Sequence, residues 1–333
     1  MYRTRILFRL PASSLPLSPP SSPFPTQPAS RFPLPASRPT ASRTKAFLNS
    51  RCGNAEKARD ALAIAGFDLE AVEPQEIEST LKQAIDHGTK RILVAGGDGT
   101  IATAAALIAK TNVELAILPG GTLNHFARDH NIPTDLGEAA LLASGGVVVG
   151  ADIGYVNDCV FLNTSSIGAY VTFVRDREQY EKRVGYTIAS ALAFVRTLSE
   201  LRAFTVTLEV EGVKKTYRSS LVFIGVGERE LQLPKLGSRV KNGKRGLHVM
   251  VVRGRKRARL FAVGLAGIAK GTKQAEKLPE FDDFVVDSCR IDLVRRSATI
   301  GLDGELKRLQ TPLDYRVERD AIRLVVAPPD GDQ

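Results

Sequence analysis

Two glycine-rich runs, about twenty residues apart, carry the residue types best suited to chemistry. Gly96–Thr100 reads Gly-Gly-Asp-Gly-Thr, and Pro119–Arg128 reads Pro-Gly-Gly-Thr-Leu-Asn-His-Phe-Ala-Arg. Each run follows a short apolar segment and precedes a helical pattern, which predicts a strand-to-helix turn. Backbone N–H groups in such turns can bind phosphate groups. The two runs together predict a nucleotide site.

The polar side chains inside these runs suit phosphate and metal binding. Asp98 can hold Mg²⁺ on a phosphate, and Thr100 can donate a hydrogen bond to one. Thr122 and Asn124 can reach phosphate or ribose, and Arg128 can balance phosphate charge. A plain turn is the alternative for the first run, but its full pattern between a strand and a helix favours the phosphate site. Arg128 alone is equally well explained as a solvated helix residue.

A third group of chemical interest lies far downstream, at Gly301-Leu302-Asp303-Gly304-Glu305. Its two carboxylates could serve as base and metal ligand in phosphoryl transfer. From the residues alone, a hairpin with Asp-Gly at its tip is the better interpretation. The sequence has neither the Walker pattern G-x-x-x-x-G-K-[ST] nor the dinucleotide pattern G-x-G-x-x-G, which argues against both of those nucleotide-binding classes.

The elements around the glycine-rich runs alternate between strand and helix. Such alternation predicts a parallel sheet with ligands at the carboxyl ends of its strands. Both runs and a weaker turn at Asn49–Gly53 would then lie at one edge. The predicted strands are Lys45–Leu48, Asp68–Val72, Arg91–Val94 and Leu115–Leu118. The predicted helices are Ala55–Ala65, Ile77–His87, Ile101–Lys110, Asn124–His130 and Leu136–Ala143.

Beyond Gly145 the pattern changes to many short strands with tight connections, which predicts a second, antiparallel β-sandwich or barrel-like domain. Two segments look clearly helical, Tyr180–Leu201 and Arg257–Lys270. We therefore expect a nucleotide-binding domain at 44–146, a β-rich domain at 147–327 and a tail at 328–333. The predicted strands are Val147–Ile153, Val160–Ser165, Phe204–Val210, Lys214–Val226, Leu247–Val252, Arg290–Val294, Ala298–Leu302 and Ala321–Ala327.

The net charge of +10 belongs mainly to the amino-terminal segment. Eight basic residues precede the first acidic one, Glu56, which leaves 38 basic against 36 acidic residues over 56–333. The charge is therefore no argument for nucleic-acid binding. Residues 1–43 are rich in Pro, Ser and Arg and are expected to be disordered. A mis-assigned start codon is the favoured explanation for them, ahead of a transit peptide.

Two further classes are disfavoured by composition. The three cysteines have neither disulfide nor metal-ligand spacing, which fits a reducing, cytoplasmic compartment. The longest apolar run, Leu260–Ala269, is about half of the ~20 residues that a membrane span requires.

Taken in order, the motifs resemble those of the diacylglycerol kinase catalytic-domain family of lipid kinases. Gly96–Thr100 is similar to the family's GGDGT, and Pro119–Arg128 to its PxGTxNDFAR run. The resemblance covers roughly residues 45–327. Its other parts are the Asn-Pro-x-Ser-Gly-like loop Asn49–Gly53, the strand Phe161–Gly168, the helix entry Arg183–Tyr186 and the terminal Leu302–Glu305.

The resemblance implies a fold akin to NAD kinases, with an active site in the cleft between an α/β domain and a β-rich domain. It implies transfer of the ATP γ-phosphoryl group to a lipid hydroxyl, with Glu305 as proton acceptor, Asp303 assisting and Mg²⁺ bridging the phosphates at Asp98. The residues implied to bind ATP are Asn49, Gly53, Gly96, Gly97, Asp98, Gly99, Thr100, Gly121, Thr122 and Asn124.

This sequence departs from the family pattern at three places. Ser50 and Cys52 replace a proline and a serine, which would loosen the first phosphate loop. The segment Val72–Gln75 lacks the threonine that often follows the second strand, so one ATP contact is missing or different. Arg245 stands where bacterial members carry an aspartate ligand of a structural Mg²⁺, which predicts that this second metal site is lost.

A lipid kinase must visit a membrane, and we expect a transient, peripheral association with its inner face. Arg253–Arg259 is a basic cluster before the apolar run Leu260–Ala269 and could dock on anionic headgroups. A helix with a solvated basic end is the favoured alternative. The competing functions are an NAD kinase-like enzyme with a soluble acceptor and a non-catalytic binding protein. The acceptor lipid is left open, as is a homodimer.

Overall fold

The amino-terminal half of the protein folds around a parallel sheet. The computed structural model describes residues 44–200, 203–230, 238–253 and 281–328. Within these residues, the first four strands pair in parallel in the order β4-β3-β1-β2. The elements are β1 (Thr44–Asn49), α1 (Ala55–Ile64), β2 (Asp68–Val72), α2 (Ile77–Asp86), β3 (Arg91–Gly96), α3 (Asp98–Ile108), β4 (Glu114–Pro119), α4 (His125–Asp129) and α5 (Leu136–Gly145).

Burial on both faces explains why the central strands of this sheet are almost wholly apolar. Helices cover each face, and the inner residues of β3 and β4 are all buried. Two hydrophobic clusters result, one around Phe47 and Phe126 and the other around Leu48 and Leu118. Because the strands are parallel, β1, β3 and β4 end at one edge of the sheet. The predicted convergence of the three turns at this edge is confirmed.

The second half is rich in antiparallel strands, and the predicted fold class of an α/β part with a β-rich part is confirmed. The division proposed at residue 146 falls between α5 and the next strand and stays a prediction. The remaining elements are β5 (Val147–Val156), β6 (Cys159–Phe161), β7 (Thr164–Gly168), α6 (Ala169–Glu200), β8 (Phe204–Val210), β9 (Val213–Val226), β10 (Leu247–Arg253), β11 (Phe281–Val286), β12 (Ser288–Leu293), β13 (Ser297–Leu302), β14 (Glu305–Gln310) and β15 (Leu313–Val326).

Strand β15 connects the two halves. It pairs in parallel with β4 and antiparallel with β5 and β12. The described strands of both halves therefore belong to one continuous hydrogen-bonded sheet. The β-rich part has its own hydrophobic cluster, in which Phe161 packs edge-on against Tyr315 with ring centroids 6.1 Å apart. Among the described helices, none has the length and apolar character needed to cross a membrane.

Several predicted elements were wrong in their bounds. The single strand predicted at Val160–Ser165 is two strands, because the amides of Leu162 and Asn163 bind a side chain instead of a neighbouring strand. Helix α6 begins at Ala169, not at Tyr180, and is interrupted at Gly185, whose φ is 75°. Strand β15 begins well before the predicted Ala321, while β11 and β14 were not predicted. The predicted helix 257–270 and the apolar run 260–269 lie outside the described residues, as does the basic cluster beyond Arg253.

Candidate functional site

The three turns at the carboxyl edge of the parallel sheet contact one another through their backbones. The Gly120 amide donates to the Gly96 carbonyl at 2.9 Å, and the Asn54 amide donates to the Gly120 carbonyl at 3.3 Å. A Cβ on Gly121 would lie 2.6 Å from the Cα of Gly97. None of these glycines has a positive φ. Glycine is therefore required here for close approach of the two turns and not for a left-handed backbone.

Asn49 ties the turn at Asn49–Gly53 to helix α3, which follows the glycine-rich turn at Gly96. Its Nδ2 donates to the Thr100 hydroxyl at 2.8 Å, and its Oδ1 accepts from the Arg51 amide at 3.0 Å. Both predicted residues, Asn49 and Thr100, thus lie side by side. The pairing fixes the end of β1 against the first turn of α3.

Asn124 holds the glycine-rich turn after β4 in shape. It is buried and has a φ of 50°, in the left-handed region that asparagine tolerates better than most residues. Its Oδ1 accepts from the Gly121 amide at 3.0 Å, and its Nδ2 donates to the Gly121 carbonyl at 2.8 Å. The side chain is thus engaged within the turn, while Thr122 and Arg128 are exposed. Contacts of these three residues with a nucleotide stay predictions.

The carboxylate of Asp98 joins the first glycine-rich turn to α4. Oδ2 accepts from the His125 amide and Oδ1 from the Phe126 amide, each at 3.2 Å. Each carboxylate oxygen keeps a lone pair for a further partner. One carboxylate together with nucleotide phosphates and water is a donor set that suits Mg²⁺. No cluster of three or more metal-ligating side chains occurs among the described residues, so any metal here would depend on such ligand oxygens.

Asp303 and Gly304 form the tip of the β13–β14 hairpin, as the residue pattern predicted. Their φ values are 47° and 93°, the left-handed conformations that a tight two-residue turn requires. The Asp303 carboxylate is held in a cradle of three backbone amides, those of Leu162, Asn163 and Thr164, at 2.6, 2.8 and 2.9 Å. Burial raises the pKa of Asp303, although these three hydrogen bonds oppose that effect. The side chain is a fixed anchor of the hairpin.

The hairpin places Glu305 against the other half of the molecule. A Cβ on Gly99 would lie 2.8 Å from Glu305 Oε1, so the carboxylate lies directly beside the first turn of α3. Glu305 and the three turns border one open cavity of about 440 Å³, a size typical of small-molecule sites. The residues that line it are Asn49, Arg51, Cys52, Gly53, Pro74, Ile77, Gly97, Gly99, Thr100, Thr103, Gly121 and Glu305.

Seven of the residues predicted for ATP binding or catalysis are in this lining, and five are not. Gly96, Asp98, Thr122, Asn124 and Asp303 lie outside it. Of these five, Asp98, Asn124 and Asp303 bond to backbone that shapes the site. The predicted set therefore divides into seven residues that border the cavity and five that do not, three of which position the turns and the hairpin around it.

Sequence reasoning missed a polar cluster at the mouth of the cavity. Glu73 accepts from the Ser50 hydroxyl at 2.5 Å and from Arg51 Nε at 3.0 Å. The Ser50 amide also donates to the Val72 carbonyl at 3.0 Å, a bond that a proline could not make. These bonds tie the turn at Asn49–Gly53 to the end of β2, whereas a looser loop was expected. The signal was the adjacency of β1 and β2, since the ends of neighbouring parallel strands lie together.

Arg51 is the single basic side chain among the described residues that line the cavity. Its guanidinium is largely exposed, at 70% of the side-chain surface. Hydrogen bonding from Ser50, with further help from the charge of Arg51, lowers the pKa of Glu73. Cys52 lies beneath the same turn, and burial raises the pKa of its thiol, which disfavours a reactive thiolate.

Arg245 fills the position where an aspartate ligand was expected. Its guanidinium bonds to both carboxylate oxygens of Asp152 and to Asp320 Oδ1, the last at 2.8 Å. The hydrogen bonds that Arg245 donates to these carboxylates raise its pKa. Burial opposes ionisation of Asp152, but the bonds from Arg245 and from the Asp320 amide lower its pKa overall. A guanidinium thus supplies positive charge here, and the loss of a second metal site stays a prediction.

Comparison with known proteins identifies what this arrangement is similar to. Residues 46–156 match the family model described as the diacylglycerol kinase catalytic domain, which confirms the resemblance for this part of the chain. A protein of Cronobacter sakazakii named "Probable lipid kinase YegS-like" is 30% identical over 152 residues, 44% of this chain and 50% of that protein. A "Diacylglycerol kinase" of Mycobacterium tuberculosis is 27% identical over 161 residues, 47% of this chain and 50% of that protein.

Solved structures extend the likeness to the whole fold. A diacylglycerol kinase of Bacillus anthracis superposes with a TM-score of 0.61 at 21% identity, covering 86% of this chain and 97% of that one. The chain spans about half the length of the two curated relatives that it matches.

Proposed function

Because residues 46–156 match the family model described as the diacylglycerol kinase catalytic domain, we propose that this protein is an ATP-dependent lipid kinase. It transfers the γ-phosphoryl group of ATP to a hydroxyl of a diacylglycerol-like lipid, as a phosphotransferase of phospholipid metabolism. The observation that carries the proposal is the position of Glu305 beside Gly99, in the same cavity as Asn49 and Thr100. A proton acceptor and a phosphate-binding turn from opposite ends of the chain meet there.

Each group has a chemical part in this reaction. The turns at Gly97 and Gly121 present backbone to the phosphates, and Thr100 donates its hydroxyl. Glu305 accepts the proton of the attacking lipid hydroxyl. Asp98 is the carboxylate that would hold Mg²⁺, which when bound neutralises charge on the β- and γ-phosphates. Asp303 fixes the hairpin on which Glu305 stands.

The acceptor determines where the enzyme works. A diacylglycerol-like lipid resides in a bilayer, so the protein associates with the cytoplasmic membrane surface transiently and from one side. The basic and apolar segments predicted for docking lie outside the described residues, and this part of the proposal rests on the acceptor's chemistry alone.

Labelled ATP offered with diacylglycerol, sphingosine, phosphatidylglycerol, undecaprenol and NAD tests the proposal. We expect transfer to one of the lipids and none to NAD. Transfer only to NAD would contradict the lipid assignment, and ATP binding without any transfer would favour a non-catalytic protein.

A single substitution tests the role of Glu305. Glu305→Gln keeps the shape of the side chain but removes the base, and we expect about 10²–10⁴-fold slower transfer with ATP binding retained. Asp98→Ala, which removes the carboxylate proposed to hold Mg²⁺, should abolish transfer. Glu70→Gln, on an exposed glutamate of β2, is the matched control. A wild-type rate for Glu305→Gln would remove that residue from the mechanism.

A further inference from the structure

Arg229 is a buried guanidinium that lies between the two halves of the candidate site. Its side chain is 3% exposed. Nη1 donates to Asp129 Oδ2 at 2.6 Å, and Nη2 donates to the carbonyls of Asn163 at 3.0 Å and Val226 at 2.6 Å. Gly225 leaves room for the stem, since a Cβ there would lie 2.5 Å from Arg229 Cγ. The chain thus makes space for this cation.

On one side, Arg229 holds the short helix that receives Asp98. Asp129 is the last residue of α4, and the first two amides of α4, those of His125 and Phe126, bind the Asp98 carboxylate. Asp129 Oδ1 also accepts from the Arg239 amide at 3.4 Å. Because α4 has only five residues, with Asp98 bound at one end and Arg229 at the other, a shift of Arg229 should displace the amides that bind Asp98.

On the other side, Arg229 holds the cradle of Asp303. Asn163 gives its carbonyl to Arg229 and its amide to Asp303 Oδ1 at 2.8 Å. The same carbonyl accepts from the Val226 amide at 2.9 Å. Arg229 is therefore connected through a single residue, Asn163, to the Asp303 side chain of the β13–β14 hairpin that carries Glu305.

Stability alone does not explain why a cation is buried at this position. Removing an arginine from water carries a large desolvation penalty, and a well-packed apolar side chain of similar size is often at least as stabilising. Burial lowers the pKa of Arg229, and Asp129 opposes that effect. A planar group that bonds a carboxylate and two carbonyls at once also fixes geometry in a way that lysine cannot.

We infer that Arg229 is a positioning residue of the phosphoryl-transfer site. It sets the Asp98 side and the Asp303–Glu305 side at the separation that transfer requires, through Asp129 and Asn163. The inference rests on the proposed function. It deepens that function because it adds a residue that lies in neither the glycine-rich turns nor the hairpin.

The chain offers a matched control for the chemistry of this contact. Arg91 also pairs with a carboxylate, Glu114, at 2.8 Å and donates to the carbonyls of Ala143 at 2.9 Å and Ser144 at 3.4 Å. It begins β3, at the edge of the sheet opposite the glycine-rich turns. A loss confined to stability should follow from Arg91→Lys.

The experiment compares Arg229→Lys, Asp129→Asn and Arg91→Lys in the full chain, with unfolding curves for each. For the first two we expect kcat to fall about tenfold or more, because a displacement near 1 Å can cost ~10²-fold, with the KM for ATP within about twofold. Amide hydrogen exchange at Leu162–Thr164 should rise in both. Arg91→Lys should lower stability only and leave kcat unchanged.

Each outcome decides the inference. Wild-type kcat and exchange in Arg229→Lys would overturn it, as would an equal loss of kcat in Arg91→Lys. If Arg229→Lys does not fold, Asp129→Asn carries the test. If the wild-type protein transfers phosphoryl to no lipid, the proposed function fails, while exchange at Leu162–Thr164 still decides whether Arg229 positions the cradle.

Discussion

Replacing Gly121 by alanine tests the contact between the two glycine-rich turns. The added Cβ would lie 2.6 Å from Gly97 Cα and 2.9 Å from Asn124 Oδ1. A contact under 3.0 Å with backbone cannot be relieved by a side-chain rotation, so one turn must move. The same substitution at Gly53 meets nothing closer than the Gly120 carbonyl oxygen at 3.9 Å. Neither Gly121 nor Gly53 has a positive φ, so alanine suits the backbone of both.

The two changes should therefore move stability in opposite directions. Overpacking costs about 1–3 kcal/mol. Alanine also restricts the unfolded chain, which stabilises by about 0.4–1 kcal/mol wherever the folded backbone accepts it. Gly121→Ala should be destabilised by up to about 2.6 kcal/mol, while Gly53→Ala should be slightly stabilised. At about 2–4 °C per kcal/mol, the Tm values should differ by several degrees.

The assay is urea unfolding of both variants and the wild type without nucleotide, because both glycines border the cavity. Gly97→Ala is a second comparison, since its Cβ would meet Gly121 Cα at an ordinary 3.5 Å. If Gly121→Ala is as stable as Gly53→Ala, the turns are not in the close contact described, and the argument that glycine serves close approach fails.

The remaining predictions concern charge. Arg51→Gln should raise the KM for ATP about five- to tenfold, because a net hydrogen bond from this largely exposed side chain is worth ~1–1.5 kcal/mol. Arg59→Gln, on the exposed face of α1, should leave this KM unchanged, and equal effects of the two substitutions would indicate general electrostatics. Burial and two neighbouring arginines lower the pKa of His130 to about 3. Below about pH 6.5 the unfolded chain therefore binds a proton at His130 that the folded chain does not bind. In urea unfolding, the free energy of unfolding should fall as the pH is lowered from 6.5 towards 3. His130→Gln should reduce this pH dependence. Arg245→Met should cost about 1–3 kcal/mol by leaving the buried Asp152 carboxylate short of partners; an unchanged unfolding midpoint would contradict this.

Local patterns predicted the parts of the site that depend on neighbouring residues. The strand–glycine–helix runs around Gly96 and Gly120 were recognisable because turn chemistry and apolar periodicity act over a few residues. The Asp303–Gly304 hairpin was recognisable for the same reason. In each case the backbone conformation follows from the residues themselves.

Long-range contacts were not predictable in this way. Nothing local to Glu305 or Gly99 shows that they are neighbours, and the family resemblance alone brought them to one site. Arg229 stands in a region of weak periodicity, and its partners Asp129 and Asn163 are 100 and 66 residues away. Pairing over such distances is decided by the packing of the whole sheet.

Charged residues also obscured the start of one strand. Strand β15 was predicted only from Ala321, because its first half is crowded with charged residues. Leu313 and Tyr315 are nevertheless fully buried at alternate positions, which is the pattern of a strand with one solvated face. A register shift between Glu318 and Ile322, with Asp320 at a φ of 51°, then breaks the alternation that prediction relies on.

The pairing of β15 with β4 has a consequence for how the protein folds. The parallel sheet that carries the glycine-rich turns gains its neighbour at Arg323 and Leu324 only after some 200 further residues have left the ribosome. At about 5–20 residues per second, translation leaves the edge of β4 waiting for ten seconds or more. During that interval β4 is an unpaired, apolar edge, the kind of surface that promotes aggregation. Chaperone dependence during synthesis, relieved once residue 326 emerges, is the expected behaviour of this topology.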